Sequence, residues 1–386
     1  MKPIYDFGEI VSLERVRAAR LCVLGCGAIG CNVVLAALQM GWSRFTLVDF
    51  DKISAHNCAR SGGIFLPGRD VGKSKVRLLA GYIRDWDPDC EAVPLEVDVR
   101  DLGGRFFRGF DCVVCALDNM ESVWHAGEIL ADSGIPLYRG ATNGWNSSVE
   151  IVENRPGRAC LCCGKDPSDS RDLRVTSCGE RYLSDIGRDR VPALQVSSAL
   201  CANRLVAAMT RNLGLSLEER PDIRYYDTGR ELMTFDLIRD RKCDCHGIPP
   251  EPDILPGNVF QTTLNQFISM LDKKIGQGSA VYGTDDYIQE GVCRRCGARY
   301  PVGRPLRRVR ESEMRCGRCP RCPITERKAD DAVSMSVFTA ESPARERTLF
   351  DLGFRICGSI LVADADGHVS AWTLSGDWDC LMKKNM

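Results

Sequence analysis

The chain has 386 residues, 27% of them charged and 44% hydrophobic, with 51 basic against 52 acidic side chains and a formal net charge of −1. That length predicts one large domain with a smaller one attached, and the composition provides apolar material for a core and argues against dominant disorder. Near-neutral charge excludes a global positive field for nucleic acid; no stretch approaches the roughly 18 apolar residues of a membrane span, and the first residues lack a signal core, so a cytoplasmic enzyme is expected.

Arg20 to Leu24 reads as a short apolar strand, followed at once by Gly25, Cys26, Gly27, Ala28, Ile29 and Gly30 and then by a helical pattern through Met40. Gly25 permits the tight turn, Gly27 lets backbone approach a phosphate, and Gly30 lets the helix pack on the strand. Free amides at the helix start would then face an anion. A second strand, Phe45 to Val48, ends in Asp49, Phe50 and Asp51, a position from which a carboxylate reaches ribose hydroxyls. An NAD-dependent oxidoreductase would open in much the same way. The residues beyond Asp51 favour a triphosphate: Asn57, Arg60 and the run Gly72, Lys73, Ser74, Lys75 add cations beyond what one diphosphate cradle needs. The strand Cys112 to Ala116 ends at Leu117, Asp118 and Asn119, where a carboxylate facing the same crevice is placed to hold Mg²⁺ or to cap a helix.

Four segments, LCVLGCGAIG at 21–30, LVDFDKISAHNCAR at 47–60, VGKSK at 71–75 and CALDN at 115–119, together resemble the ubiquitin-activating superfamily. That superfamily includes the bacterial enzymes that adenylate sulfur-carrier proteins. The resemblance covers roughly 18–247 and implies a Rossmann-like α/β adenylation domain with a mainly parallel central sheet, occupying 1–275. It implies that Asp51 binds ribose, that Asn57 and Arg60 contact phosphates, that Lys75 neutralises them and that Asp118 supports Mg²⁺. The nucleotide-binding set is accordingly Gly25, Gly27, Gly30, Asp49, Asp51, Asn57, Arg60, Lys75, Asp118 and Asn119, with Arg60, Lys75 and Asp118 also acting on the reacting groups. The implied reaction is ATP- and Mg²⁺-dependent adenylation of the C-terminal glycine carboxylate of a small ubiquitin-like protein, passed on to an acceptor enzyme. The alternatives are a sulfur-carrier, peptide, tRNA or small-molecule substrate, or a non-enzymatic nucleotide-binding scaffold. A homodimer is expected from the family. The sequence departs from the family pattern at Ser61, where glutamine is common, at Val123, where many members have arginine, and in its N-terminal lead, where Arg15 and Arg17 stand in for an arginine-rich segment.

The 21 cysteines do not read as a disulfide scaffold, which serves small secreted domains without a core. Cys22, Cys31, Cys112 and Cys115 sit in apolar runs and are expected as small buried hydrophobes. Cys160 with Cys163, and Cys243 with His246, have the spacing of a closed tetrahedral zinc site, with Cys245 competing for the fourth position. Cys178 stands alone in a polar stretch; a crossover segment at 158–188 would carry it, and by its place in order it resembles the family's reactive cysteine, able to form a thioester. Arg174 and Arg181 flank it, and a helical run from Val191 to Met209 comes next.

After a helical run at 261–274 the pattern changes. Cys293 and Cys296, then Cys316 and Cys319, have the two-knuckle spacing of a zinc ribbon, with Cys322 able to replace Cys319. Arg294, Arg295, Arg299, Arg304, Arg307, Arg308 and Arg310 lie between the pairs and read as a solvated basic face ahead of a nucleic-acid surface, because few aromatics interleave them. Strands are expected at 348–363 and 368–374, joined by the turn Asp364, Ala365, Asp366, Gly367. The predicted accessory domain, 285–386, is a zinc ribbon with a β-rich remainder.

Overall fold

A computed structural model describes residues 10–165, 193–216, 218–247, 251–293, 295–309, 316, 318–319 and 332–385. Two compact units divide the chain, one formed by Met1–Val99, Phe107–Ile248 and Asn385–Met386, the other by Arg100–Phe106 and Pro249–Lys384.

In the first unit the elements run α1 (Leu13–Ala18), β1 (Arg20–Leu24), α2 (Ala28–Gln39), β2 (Arg44–Val48), α3 (Ala55–Cys58), α4 (Lys75–Trp86), β3 (Glu91–Leu95), β4 (Cys112–Cys115), α5 (Met120–Leu130), β5 (Leu137–Asn143), β6 (Asn146–Val152), α6 (Gln195–Asn212), β7 (Ile223–Asp227) and β8 (Leu232–Asp236). They build one sheet in the order β3-β2-β1-β4-β5-β6-β7-β8. The sheet is mixed: β3 through β5 pair in parallel, and β5 to β8 form an antiparallel meander. Short loops explain that extension. Gly144 (φ 60°) and Gly229 (φ 75°) each sit in a tight connection between neighbouring strands, which permits only antiparallel return. Pro94 lies in β3, and β3 is an edge strand, the place where a missing N–H does least harm.

The helices follow their apolar spacing. Ser74 caps α4 by accepting from the Arg77 amide, and Val76, Leu79, Ala80 and Ile83 form its buried stripe. Pro88 bars a helical conformation at Asp87, where α4 stops. Helix α2 is buried on most of its circumference, and Leu21, Val23, Val34, Phe45, Leu47, Leu79, Val114 and Leu205 pack in one cluster with it. Each such side chain contributes about 1.5–3 kcal/mol of burial. Cys22, Cys31, Cys112 and Cys115 are buried as expected, and burial pushes the thiol of each above its ordinary pKa.

The meander carries a buried ion cluster. Glu150 on β6 lies opposite Arg139 on β5 and Arg224 on β7. Its side chain is 2% exposed and its carboxylate accepts from Arg139, from Arg224 Nε at 3.0 Å and from Lys165 Nζ at 3.1 Å. Burial works against the charged form, but the three cations outweigh it and hold Glu150 down at about 2. Because the folded pKa is depressed, this stabilisation is present above about pH 4.5 and is lost as pH falls toward 2, an effect of about 3 kcal/mol. Chemical denaturation across that interval should show the acid limb in the parent protein and a flatter one in Glu150→Gln; equal slopes would remove Glu150 as its source.

In the second unit β9 (Asp253–Leu255), α7 (Leu264–Ile275), β10 (Ala280–Val292), β11 (Arg299–Pro305), β12 (Ala332–Phe338), β13 (Ile360–Ala363), β14 (Val369–Leu374) and α8 (Asp377–Asn385) follow in order. The sheet order is β11-β10-β13-β14-β9, with β12 also paired to β10. Helix α7, counted with 1–275 on sequence, belongs to this second unit. The strand expected over 348–363 is confined to Ile360–Ala363: Gly353 (φ 96°) and Cys357 (φ 54°) turn the backbone out of extension before it. The turn at Asp364 to Gly367 is present, with Gly367 at φ 83°. Nor do the arginines form one solvated face. Arg307 and Arg308 both donate to Asp101, at 3.0 and 2.8 Å, and the Arg307 side chain is only 7% exposed. Arg294 and Arg310 lie outside the described residues.

Among the described residues, no helix is long and apolar enough to cross a membrane.

Candidate functional site

The glycine loop joins β1 to α2 as its sequence predicts. Gly25 has φ 89°, and a Cβ there would stand 2.6 Å from the Ala116 carbonyl oxygen; on Gly30 it would stand 2.0 Å from the Gly25 oxygen. These two glycines are demanded by the protein itself. Gly27 is different, since a Cβ on it would meet nothing within 4 Å. Open space over a glycine at the start of α2 fits a phosphate approaching backbone amides.

The two aspartates at the end of β2 differ in task. Asp49 accepts from the Cys26 amide of the glycine loop and from the Asp51 amide, both at 2.8 Å, and so ties loop to strand. Asp51 is the more open, its side chain 41% exposed, and it accepts from Lys75 Nζ at 2.9 Å. Lys75, the first residue of α4, also lies 3.4 Å from Asp49. Burial disfavours the Lys75 ammonium, but Asp49 and Asp51 outweigh it and hold its pKa above the usual lysine range. Burial pushes Asp49 upward, partly offset by Lys75.

Asn57 and Arg60 are set by α3. The Asn57 oxygen accepts from the Ser54 amide at 2.9 Å and the Ser54 hydroxyl at 2.7 Å, fixing the amide plane. Arg60 donates Nε to the His56 carbonyl at 3.3 Å. Its own carbonyl accepts from Asn32 Nδ2 at 3.2 Å, and Asn32 is locked in turn by Gln195 Nε2 at 2.8 Å. Ser61, the departure from the family's glutamine, is buried and accepts from the Phe65 amide at 3.0 Å.

Sequence reasoning passes over His56, which stands among these groups. Burial first, then the charges of Arg60 and Lys75, lower its pKa, while Asp118 and Asp51 act in the opposite sense. Charged groups that follow β2, α3 and β4 or open α4 thus act on His56 together. A lone histidine in a polar run carries no spacing signal, and Asn32 and Gln195 act through contacts 163 residues apart in the chain. At the end of β4, Asn119 caps α5, accepting from the Ser122 amide at 2.7 Å, so the cap is not Asp118. Asp118 is exposed at the strand end. Arg15 and Arg17 do not take part: Arg15 donates to the Leu213 carbonyl and Arg17 pairs with Asp87, each at 3.4 Å.

Two groups of soft donors are present among the described residues. In Cys160, Cys163, Cys243 and His246 the donor atoms all lie within 4.8 Å of one another, as they do in Cys293, Cys296, Cys316 and Cys319. Tetrahedral zinc with Zn–S of about 2.3 Å spaces its sulfurs at about 3.8 Å. The pairs Cys160–Cys163, Cys160–Cys243 and Cys296–Cys316 each stand 3.7 Å apart, far beyond a disulfide. His246, rather than Cys245, completes the first set. Its Nε2 lies 3.1 Å from Cys163 Sγ, while Nδ1 faces both Asp132 oxygens at 3.2 Å, the second-partner geometry that orients a metal-binding imidazole. Asp132, held at φ 55°, escapes sequence reasoning because only the fold brings it there. Cys322 and Cys178 lie outside the described residues, as does 166–188 of the expected crossover.

A glycine loop over a helix start, an acidic strand end clamped by a lysine and a second carboxylate across the crevice define an α/β nucleotide-binding protein built on the plan of the adenylating enzymes. The chain belongs to the ThiF family, which it matches over residues 3–277. It is 26% identical over 160 residues to the NEDD8-activating enzyme E1 catalytic subunit of Dictyostelium discoideum, covering 38% of this chain and 36% of that one. It is 23% identical over 155 residues to SUMO-activating enzyme subunit 2 of the same organism, covering 39% and 23%. The chain thus spans little more than a third, or less, of the length of these curated relatives. The crystal structure of Escherichia coli MccB superimposes with a TM-score of 0.50 at 17% identity, covering 60% of this chain and 66% of that one, a likeness of fold.

Proposed function

We propose that this protein uses ATP and Mg²⁺ to adenylate the C-terminal carboxylate of a small carrier protein or peptide. The observation that carries the reading is the Lys75 ammonium held between Asp49 and Asp51 at the end of β2, with Asp49 tied to the glycine loop in which Gly27 stands open. In that reaction a carboxylate oxygen bonds to the α-phosphorus, and the bond to the bridging β-phosphate oxygen breaks with its electron pair leaving on pyrophosphate. Arg60 and Lys75 would neutralise the accumulating charge, Asp51 would orient the ribose, and the amides at the start of α2 would hold phosphate oxygens. Asp118 would hold Mg²⁺, which supplies charge neutralisation on the phosphates when bound. Family membership supports the reading, as do the activating-enzyme names of the curated relatives.

Adenylation is common to ubiquitin-like and sulfur-carrier substrates, and membership of the ThiF family makes the sulfur-carrier or peptide substrate at least as strong a reading as conjugation. We assign two zinc ions to the tetrads, each as a closed structural site. A thioester on Cys178, transfer to an acceptor enzyme and a homodimer belong to the same proposal.

ATP–pyrophosphate exchange against a panel of glycine-ending carrier proteins and peptides tests it, with adducts read by intact mass. Carrier-dependent exchange is expected, reduced at least tenfold in Asp118→Ala, and a thiol-sensitive adduct should map to Cys178. Hydride transfer without pyrophosphate release would return the reading to an oxidoreductase, and ATP binding with neither reaction would leave a scaffold.

A further inference from the structure

The cluster on the meander has more positive charge than its own carboxylate accounts for. Arg139, Arg224 and Lys165 surround Glu150 alone, which leaves an excess of two positive charges among these described residues. The three cationic side chains are 14%, 37% and 17% exposed, against 2% for the glutamate. The Arg139 Nε atom is buried without a hydrogen-bond partner. Arg224 reaches solvent and Lys165 also donates to the Leu161 carbonyl, but Arg139 and Lys165 share one carboxylate in a sheltered place, a set that an anion would complete.

Its position says which anion. Arg139 pairs in register with Cys115, the last residue of β4, and its Nη2 stands 3.8 Å from Met120 Sδ at the start of α5. Asp118 lies between those two points in the chain. Sheet order puts the nucleotide residues on β1, β2 and the end of β4, while the cluster occupies β5, β6 and β7 on the other side of β4. A group that attacks the α-phosphorus in line with the departing pyrophosphate must arrive from the side that the phosphates leave free.

We propose that Arg139, Lys165 and Arg224 form an anion subsite that selects an acidic side chain within the last few residues of the polypeptide to be adenylated. The inference rests on the adenylation reading for its substrate, while its test reads binding and needs no turnover.

The full chain is titrated, by fluorescence anisotropy, with labelled octapeptides ending in Glu-Gly-Gly or Gln-Gly-Gly and otherwise identical. The glutamate peptide should bind at least tenfold more tightly. That preference should fall to about twofold or less in Arg139→Met and in Lys165→Met and persist in Asp118→Ala. Arg224→Met, at the more open edge of the cluster, should weaken the preference in the same way, and melting curves show which variants are folded. Equal affinity for the two peptides, including no measurable binding of either, overturns the proposal, as does a preference that survives both substitutions in folded protein. Exchange measured in parallel separates the two readings. Carrier-dependent exchange without an acid preference sinks the subsite alone, whereas an acid preference without any exchange sinks the adenylation reading and leaves the subsite standing.

Discussion

Lys75→Met is expected to abolish carrier-dependent ATP–pyrophosphate exchange, by about 10³ or more, while leaving the protein folded. The ammonium lies between Asp49 and Asp51 with its side chain 9% exposed, and removing a preorganised charge from a sheltered site costs at least as much as removing one oxyanion donor. The fold tolerates the change because Asp49 keeps the Cys26 and Asp51 amides that donate to it, so its carboxylate retains two partners without Lys75. Val76, Leu79 and Ile83, which anchor α4, are untouched. Circular dichroism and melting should match the parent protein. Exchange within tenfold of the parent would show that the phosphates are held elsewhere.

The second large effect is expected at the first metal site. Cys163→Ser should lower the zinc content from two ions per chain to one and reduce Tm by about 10 °C or more. Structural zinc binds with apparent free energies of about 10 kcal/mol or more, and a loss of only about 3 kcal/mol shifts the melting point of a domain this size by about 10 °C. Metal analysis by mass spectrometry and calorimetry measure both. Asp132→Asn should give a weaker version, because it leaves all four donors in place and removes only the carboxylate that orients His246. Unchanged zinc content in Cys163→Ser would disqualify the tetrad.

The crevice is legible in sequence to the extent that its residues sit at the ends of local elements. The turn at Gly25, the place of Lys75 at the start of α4 and the strand end at Asp118 follow from loop chemistry and from the rule that parallel strands present their C-terminal edges to a ligand. Asp49 reads as a ligand in sequence and proves to be the tie to Cys26, because a hydrogen bond between two loops leaves no trace in spacing. The same reason hides the Asn32–Gln195 pair and Asp132. The antiparallel half of the sheet is harder to read: β7 and β8 carry mixed polar and apolar residues with no clean alternation, since β8 is exposed along its whole length. Cysteine pairs two residues apart are local and so are visible in spacing; the place of His246 rather than Cys245 in the first set of donors, facing Asp132, is not.

The first tetrad joins residues 83 positions apart, since Cys160 meets Cys243 and Cys163 meets His246. A metal that gathers such distant points also restricts the denatured chain, and forbidding a ring of that length costs the unfolded ensemble about 4–5 kcal/mol of entropy by the reckoning used for covalent crosslinks. Helix α6 and strands β7 and β8 lie inside the ring. Their search for β6 would therefore start from a tethered chain if zinc were bound before folding, so metal added at the outset of refolding should raise the refolding rate read by stopped-flow fluorescence, whereas metal added afterwards should only deepen the final state.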